Sequence, residues 1–338
     1  MKKTKGEYMN NLKKVGLTAL AGSLAAISAN AAEMSVSGGV NMTYVSQTGN
    51  TGNPYGMESR LTFGTSGELE NGMNVSYYTT LETHHASSGQ YSGELALDMG
   101  DLGRIALQQG VGNGGIDQID DMSVKAYEEV WDGVTGTSSL TNTGGTNVFK
   151  YTNSYGGIGL NVAARKGSDT GNAEGDVSTN GEGDGYSFAI TASGDTLGME
   201  GLNAGFGYGE VEAGTVADAS NNADDDTFVS AYATYAMGPV SVSAQRNQVN
   251  KKAKNVEGDY YAIAFNVNEN FAISYGEVSN SHDSASNTTT VDEDVEGIGF
   301  SYTMGGMTLA GQQNSADNAN GVSGAKDDHT ELRLSFSF

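Results

Sequence analysis

The chain ends TELRLSFSF, residues 330–338, and the reading of this stretch decides the fold. Leu332, Leu334, Phe336 and Phe338 alternate with Glu331, Arg333, Ser335 and Ser337. Period-two alternation marks a strand with one apolar and one polar face. An apolar face needs something to cover it, yet mean hydropathy is only −0.38. The 338 residues include 49 Gly, 17 Tyr, 2 Pro and no Cys, and the net charge is −24. Such acidity offers no basic footprint for phosphate, which excludes a nucleic-acid partner.

The amino-terminus has the form of a cleaved signal peptide, residues 1–31. Lys13 and Lys14 precede the mostly small and apolar run Val15–Ile27, and Ala29-Asn30-Ala31 fits a small-x-small cleavage site. Its removal takes five of the 17 basic residues and one of the 41 acids, deepening the net charge from −24 to −28. An exported chain without cysteine has no disulfides to stabilise it. No later run approaches the roughly 18 apolar residues of a membrane helix, so only a closed barrel could cross a bilayer.

The alternation of the tail recurs along the whole chain. It marks strands at 33–47, 57–69, 72–84, 91–99, 102–110, 147–155, 157–166, 184–194, 201–212, 226–237, 239–249, 257–267, 269–279, 294–304, 307–315 and 329–338. The connections alternate in length. Short ones such as Glu70-Asn71-Gly72, Gly100-Asp101, Gly238-Pro239 and Gly305-Gly306 use residues that suit tight hairpins. Between them fall longer polar loops at 48–56, 85–90, 111–146, 167–183, 213–225, 250–256, 280–293 and 316–328. Tight turns at one end and long loops at the other, on an even number of strands, are the pattern of a transmembrane β-barrel. A soluble sandwich would also alternate, but it has no reason to keep two classes of connection in strict succession. A secreted β-rich surface binding protein or adhesin is the competing reading.

Several local stretches carry a family resemblance: Ser59-Arg60-Leu61-Thr62-Phe63-Gly64, Leu69-Glu70-Asn71-Gly72-Met73, Gly100-Asp101-Leu102-Gly103-Arg104, Tyr151-Thr152-Asn153-Ser154 and the terminal aromatic strand. In this order the chain resembles the general porins of Gram-negative outer membranes, more closely the alphaproteobacterial kind. The resemblance implies a 16-stranded antiparallel barrel, a homotrimer in outer-membrane lipid and lipopolysaccharide, and a passive diffusion channel rather than an enzyme. It further implies a third long loop folded inward to narrow the pore, and a terminal Phe338 read by the barrel-assembly machinery.

The third long loop, 111–146, is the longest in the chain and carries Asp117, Asp120, Asp121, Glu128 and Glu129, with Tyr127 and Trp131 as anchors. Strand phase puts Arg60, Arg104, Lys150, Arg165 and Arg333 on the polar face. The expectation is a constriction with these cations on one wall and the acidic loop opposite. A transverse field of this kind favours dipolar solutes over apolar ones. Thr152 stands where enteric porins carry a further wall arginine, and the excess of acid implies weak cation selectivity.

Other motifs carry less. Gly110-Val111-Gly112-Asn113-Gly114-Gly115 matches G-x-G-x-x-G but lacks the βαβ unit of a dinucleotide site. No cofactor is expected. The runs Asp224 to Asp226, Asp292 to Asp294 and Asp327-Asp328 have the oxygen chemistry of loop-bound Ca2+, against the plainer reading of solvated loop charge. His84, His85, His282 and His329 form no metalloprotease or triad pattern.

Overall fold

Each strand pairs with its sequence neighbours because a turn or loop returns the chain antiparallel beside itself, and fifteen such connections bring the last strand round to the first. The computed structural model describes residues 33–84, 87–134, 146–167, 183–212, 225–251, 254–284 and 291–338. The signal-peptide expectation therefore lies outside the described residues. The first half comprises β1 (Glu33–Gln47), β2 (Tyr55–Glu68), β3 (Asn74–His84), β4 (Ser87–Asp98), β5 (Arg104–Gln109), β6 (Thr146–Tyr155), β7 (Ile158–Arg165) and β8 (Gly185–Ser193). The second comprises β9 (Leu202–Val211), β10 (Asp226–Met237), β11 (Val240–Asn250), β12 (Lys254–Asn268), β13 (Phe271–Ser284), β14 (Glu293–Met304), β15 (Met307–Asp317) and β16 (Lys326–Ser337). All pairings are antiparallel, and β1 against β16 closes the ring with Val40 opposite Phe336 and Thr43 opposite Arg333. At the seam, the amides of Gly38 and Phe338 each donate to the other's carbonyl, at 2.9 and 3.0 Å.

The strands run on past their expected ends at the long-loop side. β4 begins at Ser87, so the expected loop 85–90 shrinks to 85–86; β12 begins at Lys254, leaving only 251–253 of the expected 250–256. Thr83 pairs with Ser88 and Asn255 with Asp283 although neither stretch alternates in hydropathy. Alternation is imposed by lipid on one face. Beyond the lipid both faces meet water, and the ladder continues without the pattern.

The outward faces show where the lipid lies. Phe63, Leu95, Ile105, Phe149, Ile190, Phe206, Ile263, Ile298 and Leu332 are all exposed. A soluble monomer rarely leaves so much contiguous apolar surface uncovered. Tyr155, Tyr235 and Tyr302 ring the band near the tight turns, while Tyr186, Tyr261 and Tyr275 ring it towards the loops. These are the two aromatic girdles of a membrane barrel. Among the described residues no helix is long and apolar enough to cross a membrane. The inward faces are polar: Gln108, Asn161, Ser187, Ser230, Gln245, Asn247, Gln312 and Asn314 are all buried.

Candidate pore constriction

The chain leaves β5 through Gly110 and Gly112, both at positive φ, and turns into the barrel at Gly115, φ +62°. A Cβ on Gly115 would lie 1.9 Å from Ser187 Oγ, so only glycine lets the loop approach the wall this closely. Its amide donates to Asn161 Oδ1 at 2.8 Å and that of Ile116 to Ser187 Oγ at 3.2 Å. The G-x-G-x-x-G stretch is therefore an entry turn for the loop and not a nucleotide cradle.

From there the loop circles the inside of the wall. The 3-10 turn Gly115–Ile119 packs the fully buried Ile116 and Ile119 against Ala189, Phe228, Tyr232 and Val249. Wall side chains then supply the partners that a sheet would otherwise provide. Gln245 donates to the carbonyls of Ile119 and Asp120 at 2.8 and 3.0 Å and accepts from the Met122 amide at 2.7 Å. The Val124 amide donates to Ser243 Oγ at 3.0 Å and the Ala126 amide to Ser274 Oγ at 2.9 Å. Farther on, Trp131 stacks edge-on to Tyr260, with ring centroids 4.9 Å apart, in a second cluster with Val130, Val278 and Val295. Asn314 Nδ2 donates to the Asp132 carbonyl at 2.9 Å, and Gln47 Nε2 to that of Gly133 at 2.7 Å. The described part of the loop thus reaches from β5 round to β1, with β2 to β4 on the side of the ring opposite β10 to β12.

The loop acids divide between two sides. Asp117 points at the wall and is only 4% exposed, and neither carboxylate oxygen has a hydrogen-bond partner among the described residues. Asp121 and Glu129 flank Lys125, which contacts both, the former at 2.7 Å. Glu128 lies 3.4 Å from Arg333, whose guanidinium is 5.2 Å from the Tyr127 ring centroid, and the Tyr127 hydroxyl donates to Glu331 at 2.9 Å. Tyr127 and Trp131 anchor the loop as their residue types imply.

On the wall Arg60, Arg104, Lys150 and Arg333 each have an acidic neighbour that the sequence reading left out of the site, namely Glu58 and Glu82, Glu94, Glu94 and Glu331. Arg104 and Lys150 converge on the buried Glu94, together with Gln108; the Lys150 ammonium is 3.2 Å from Glu94 and donates to Asn113 on the loop at 2.8 Å. Arg60 pairs with Glu58 and, at 3.3 Å, with Glu82. It also sits 4.3 Å over the Tyr91 ring, next to the register shift between β3 and β4. Arg165 is charge-coupled to Asp117. Phase alone places Glu58, Glu82 and Glu94 on the polar face. Strand register brings Glu82 opposite Arg60, and the long Arg and Lys side chains do the rest.

Burial sets the protonation of the loop. Desolvation, with Asp120 nearby, pushes the Asp117 carboxyl up to about 9 against the partial relief of Arg165. Asp120 rises to about 7, chiefly by burial and then through Asp121. Glu128 is also raised, first by burial and then by Asp132. An undocked loop would let Asp117 ionise above its ordinary 3.8. Docking is therefore strongest below about pH 4 and weakens as pH rises, down to the level reached once Asp117 ionises in place near 9. In Asp117→Asn the part of this slope between pH 7 and 9 should vanish, because Asp120 has by then titrated. Protease susceptibility of the loop against pH checks this; a variant with the wild-type slope would disprove it.

The acid runs considered for Ca2+ are split by the strands. Glu293 faces inward, 3.4 Å from His282, while Asp294 faces outward to Ser279; Asp327 is buried inside, and Asp328 accepts from Ser315. Asp224 lies outside the described residues.

A family model described as Gram-negative porin matches residues 16–280, well over half the sequence. The chain belongs to the Gram-negative porin family. Solved porins share its fold. Salmonella typhi OmpF, in complex with daunomycin, superposes with a TM-score of 0.68 at 12% identity, covering 91% of this chain and 98% of that one. A porin refined at 1.8 Å gives 0.63 at 17% identity, covering 90% and 100%. An anion-selective porin from Comamonas acidovorans gives 0.64 at 12%, covering 91% and 100%. No match is found among curated proteins. This porin is an outer-membrane channel, and membership of the family sets aside the secreted-adhesin reading.

Proposed function

We propose that this porin is a passive diffusion channel for small hydrophilic solutes and ions with a weak preference for cations. The observation that carries the preference is the surplus of acid along the passage. Glu58, Glu82, Glu94, Asp121, Glu128, Glu129, Asp132 and Glu331 outnumber Arg60, Arg104, Lys125, Lys150, Arg165 and Arg333, and most of the cations already touch a carboxylate. Each cation is matched by one or two carboxylates, so the residual potential follows the net surplus of acid. The fold itself is neutral on this point, since an anion-selective porin shares it.

The remaining expectations belong to the same proposal. Residues 1–31 are a cleaved signal peptide, and the mature barrel assembles as a homotrimer. Phe338, already paired to Gly38, presents the terminal aromatic that the assembly machinery reads. Outward Glu277 and Glu296, both bonded to Tyr275, and the nearby Asp294 stand above the apolar band, where divalent ions would bridge them to lipopolysaccharide. Zero-current potentials under a KCl gradient across planar bilayers test the preference: a few-fold excess of K+ over Cl− permeability is expected, and anion preference would overturn it.

A further inference from the structure

We propose that Asp132, His329 and Glu331 bind one first-row divalent cation of the Zn2+ type, which pins the far leg of the constriction loop to β16. One donor atom from each residue lies within 4.8 Å of the others. His329 is 5% exposed, and neither ring nitrogen has a hydrogen-bond partner among the described residues. The nearest recorded polar group is Glu331 Oε2, at 3.8 Å from Nε2. A buried imidazole with both nitrogens unsatisfied is costly and calls for an explanation. His282 makes the contrast, because its Nε2 lies 3.4 Å from Glu293.

The other two ligands are already oriented. Glu331 Oε1 accepts from the Tyr127 hydroxyl at 2.9 Å and lies 3.3 Å from Arg333, which leaves Oε2 facing His329. Asp132 Oδ2 accepts from Gln312 Nε2 at 2.8 Å. Outer partners that fix a carboxylate in this way are characteristic of metal ligands. Gly133, at φ +76°, lies flat on the imidazole; a Cβ there would fall 2.4 Å from its ring atoms. The ring and the loop backbone therefore hold one another in register.

The donor set selects the ion. One imidazole and two carboxylates suit Zn2+ and its neighbours, whereas Ca2+ takes six to eight oxygens. Bonds of about 2.0–2.2 Å in a tetrahedron set donors roughly 3.4 Å apart. The three groups must draw in by about an ångström, which Asp132 can do because it sits on a loop. Three protein ligands leave a fourth position for water, and the half-buried Asp132 opens that position to the lumen. A bound ion would offset two carboxylates and fix the loop at a point where its contact with the wall is otherwise hydrogen bonds and van der Waals packing.

The test is calorimetric titration of chelator-stripped, detergent-extracted porin with ZnCl2 and, separately, CaCl2. One Zn2+ per chain is expected, with Ca2+ much weaker. His329→Ala and Asp132→Asn should each weaken Zn2+ by at least about tenfold, while both variants still migrate as folded barrels on unheated gels. Absence of stoichiometric Zn2+ binding, Ca2+ binding as tightly as Zn2+, or undiminished binding by folded His329→Ala would each overturn the site. Binding is read apart from ion preference, so failure here and failure of the cation-selectivity reading are distinguishable. In bilayers, Zn2+ should steady the current and lower K+ preference in the wild type and leave His329→Ala unchanged.

Discussion

Ile116→Ala combined with Ile119→Ala should release the near end of the constriction loop and replace a single steady conductance with a broad, flickering one of higher mean. Both side chains are fully buried, and both contact only loop and wall, so the barrel ladder is untouched. Buried Ile→Ala changes cost about 2–5 kcal/mol each, and two neighbours in one cluster need not add. The hydrogen bonds that Gln245 and Ser230 donate and Ser243 accepts remain, but such bonds net only about 1 kcal/mol each once water can replace the partner. Loss of the apolar anchor should therefore dominate. Single-channel records measure the effect, and the heating midpoint of the barrel on gels serves as control. A wild-type conductance level in the double variant would show that the Trp131 cluster and the Asp132 leg hold the loop alone.

Glu94→Gln should be the second large change, and it acts on the wall. Glu94 is 6% exposed and serves Arg104, Lys150 and Gln108 together. Neutralising it leaves two cations facing each other without their counter-charge, a loss of about 3–5 kcal/mol for a broken buried pair. Two outcomes follow: a lower midpoint for heat dissociation, and a several-fold fall in K+ over Cl− permeability. Adding Lys150→Met to Glu94→Gln should recover much of the stability, because the uncompensated ammonium is gone. An unchanged zero-current potential in Glu94→Gln would mean that the Glu94 cluster lies outside the ion path.

The fold was legible because lipid forces a period-two pattern onto every strand, and tight turns need Gly, Asn or Asp. All sixteen strands were therefore readable; their ends slipped by a residue or two at the tight turns, as at Asn74 and Arg104, and by more above the lipid, as at Ser87 and Lys254, where no apolar face is demanded. Phase also sorted Arg60, Arg104, Lys150, Arg165 and Arg333 to the inside. Their partners were hidden because pairing depends on strand register and side-chain reach, neither of which alternation encodes. The loop was harder still. Asp117 and Asp121 look alike in sequence, yet a tight turn at Gly115 sends the first to the wall while the second meets Lys125. The grouping around His329 was hidden, since Glu331 lies two residues on but Asp132 comes from a segment about 200 residues away.

The Gly38–Phe338 seam bears on the order in which the molecule is made. The two residues are at opposite ends of the described chain, so the contact that completes the ring is the most distant in sequence and carries the largest loop-closure entropy. Until β16 has been delivered, the partner edge of β1 stays unsatisfied, and an open edge is untenable in hydrocarbon. No shorter nascent piece can therefore settle in the bilayer by itself. Closure of the ring thus waits for β16, and a chain cut short by that strand loses closure of the whole ring.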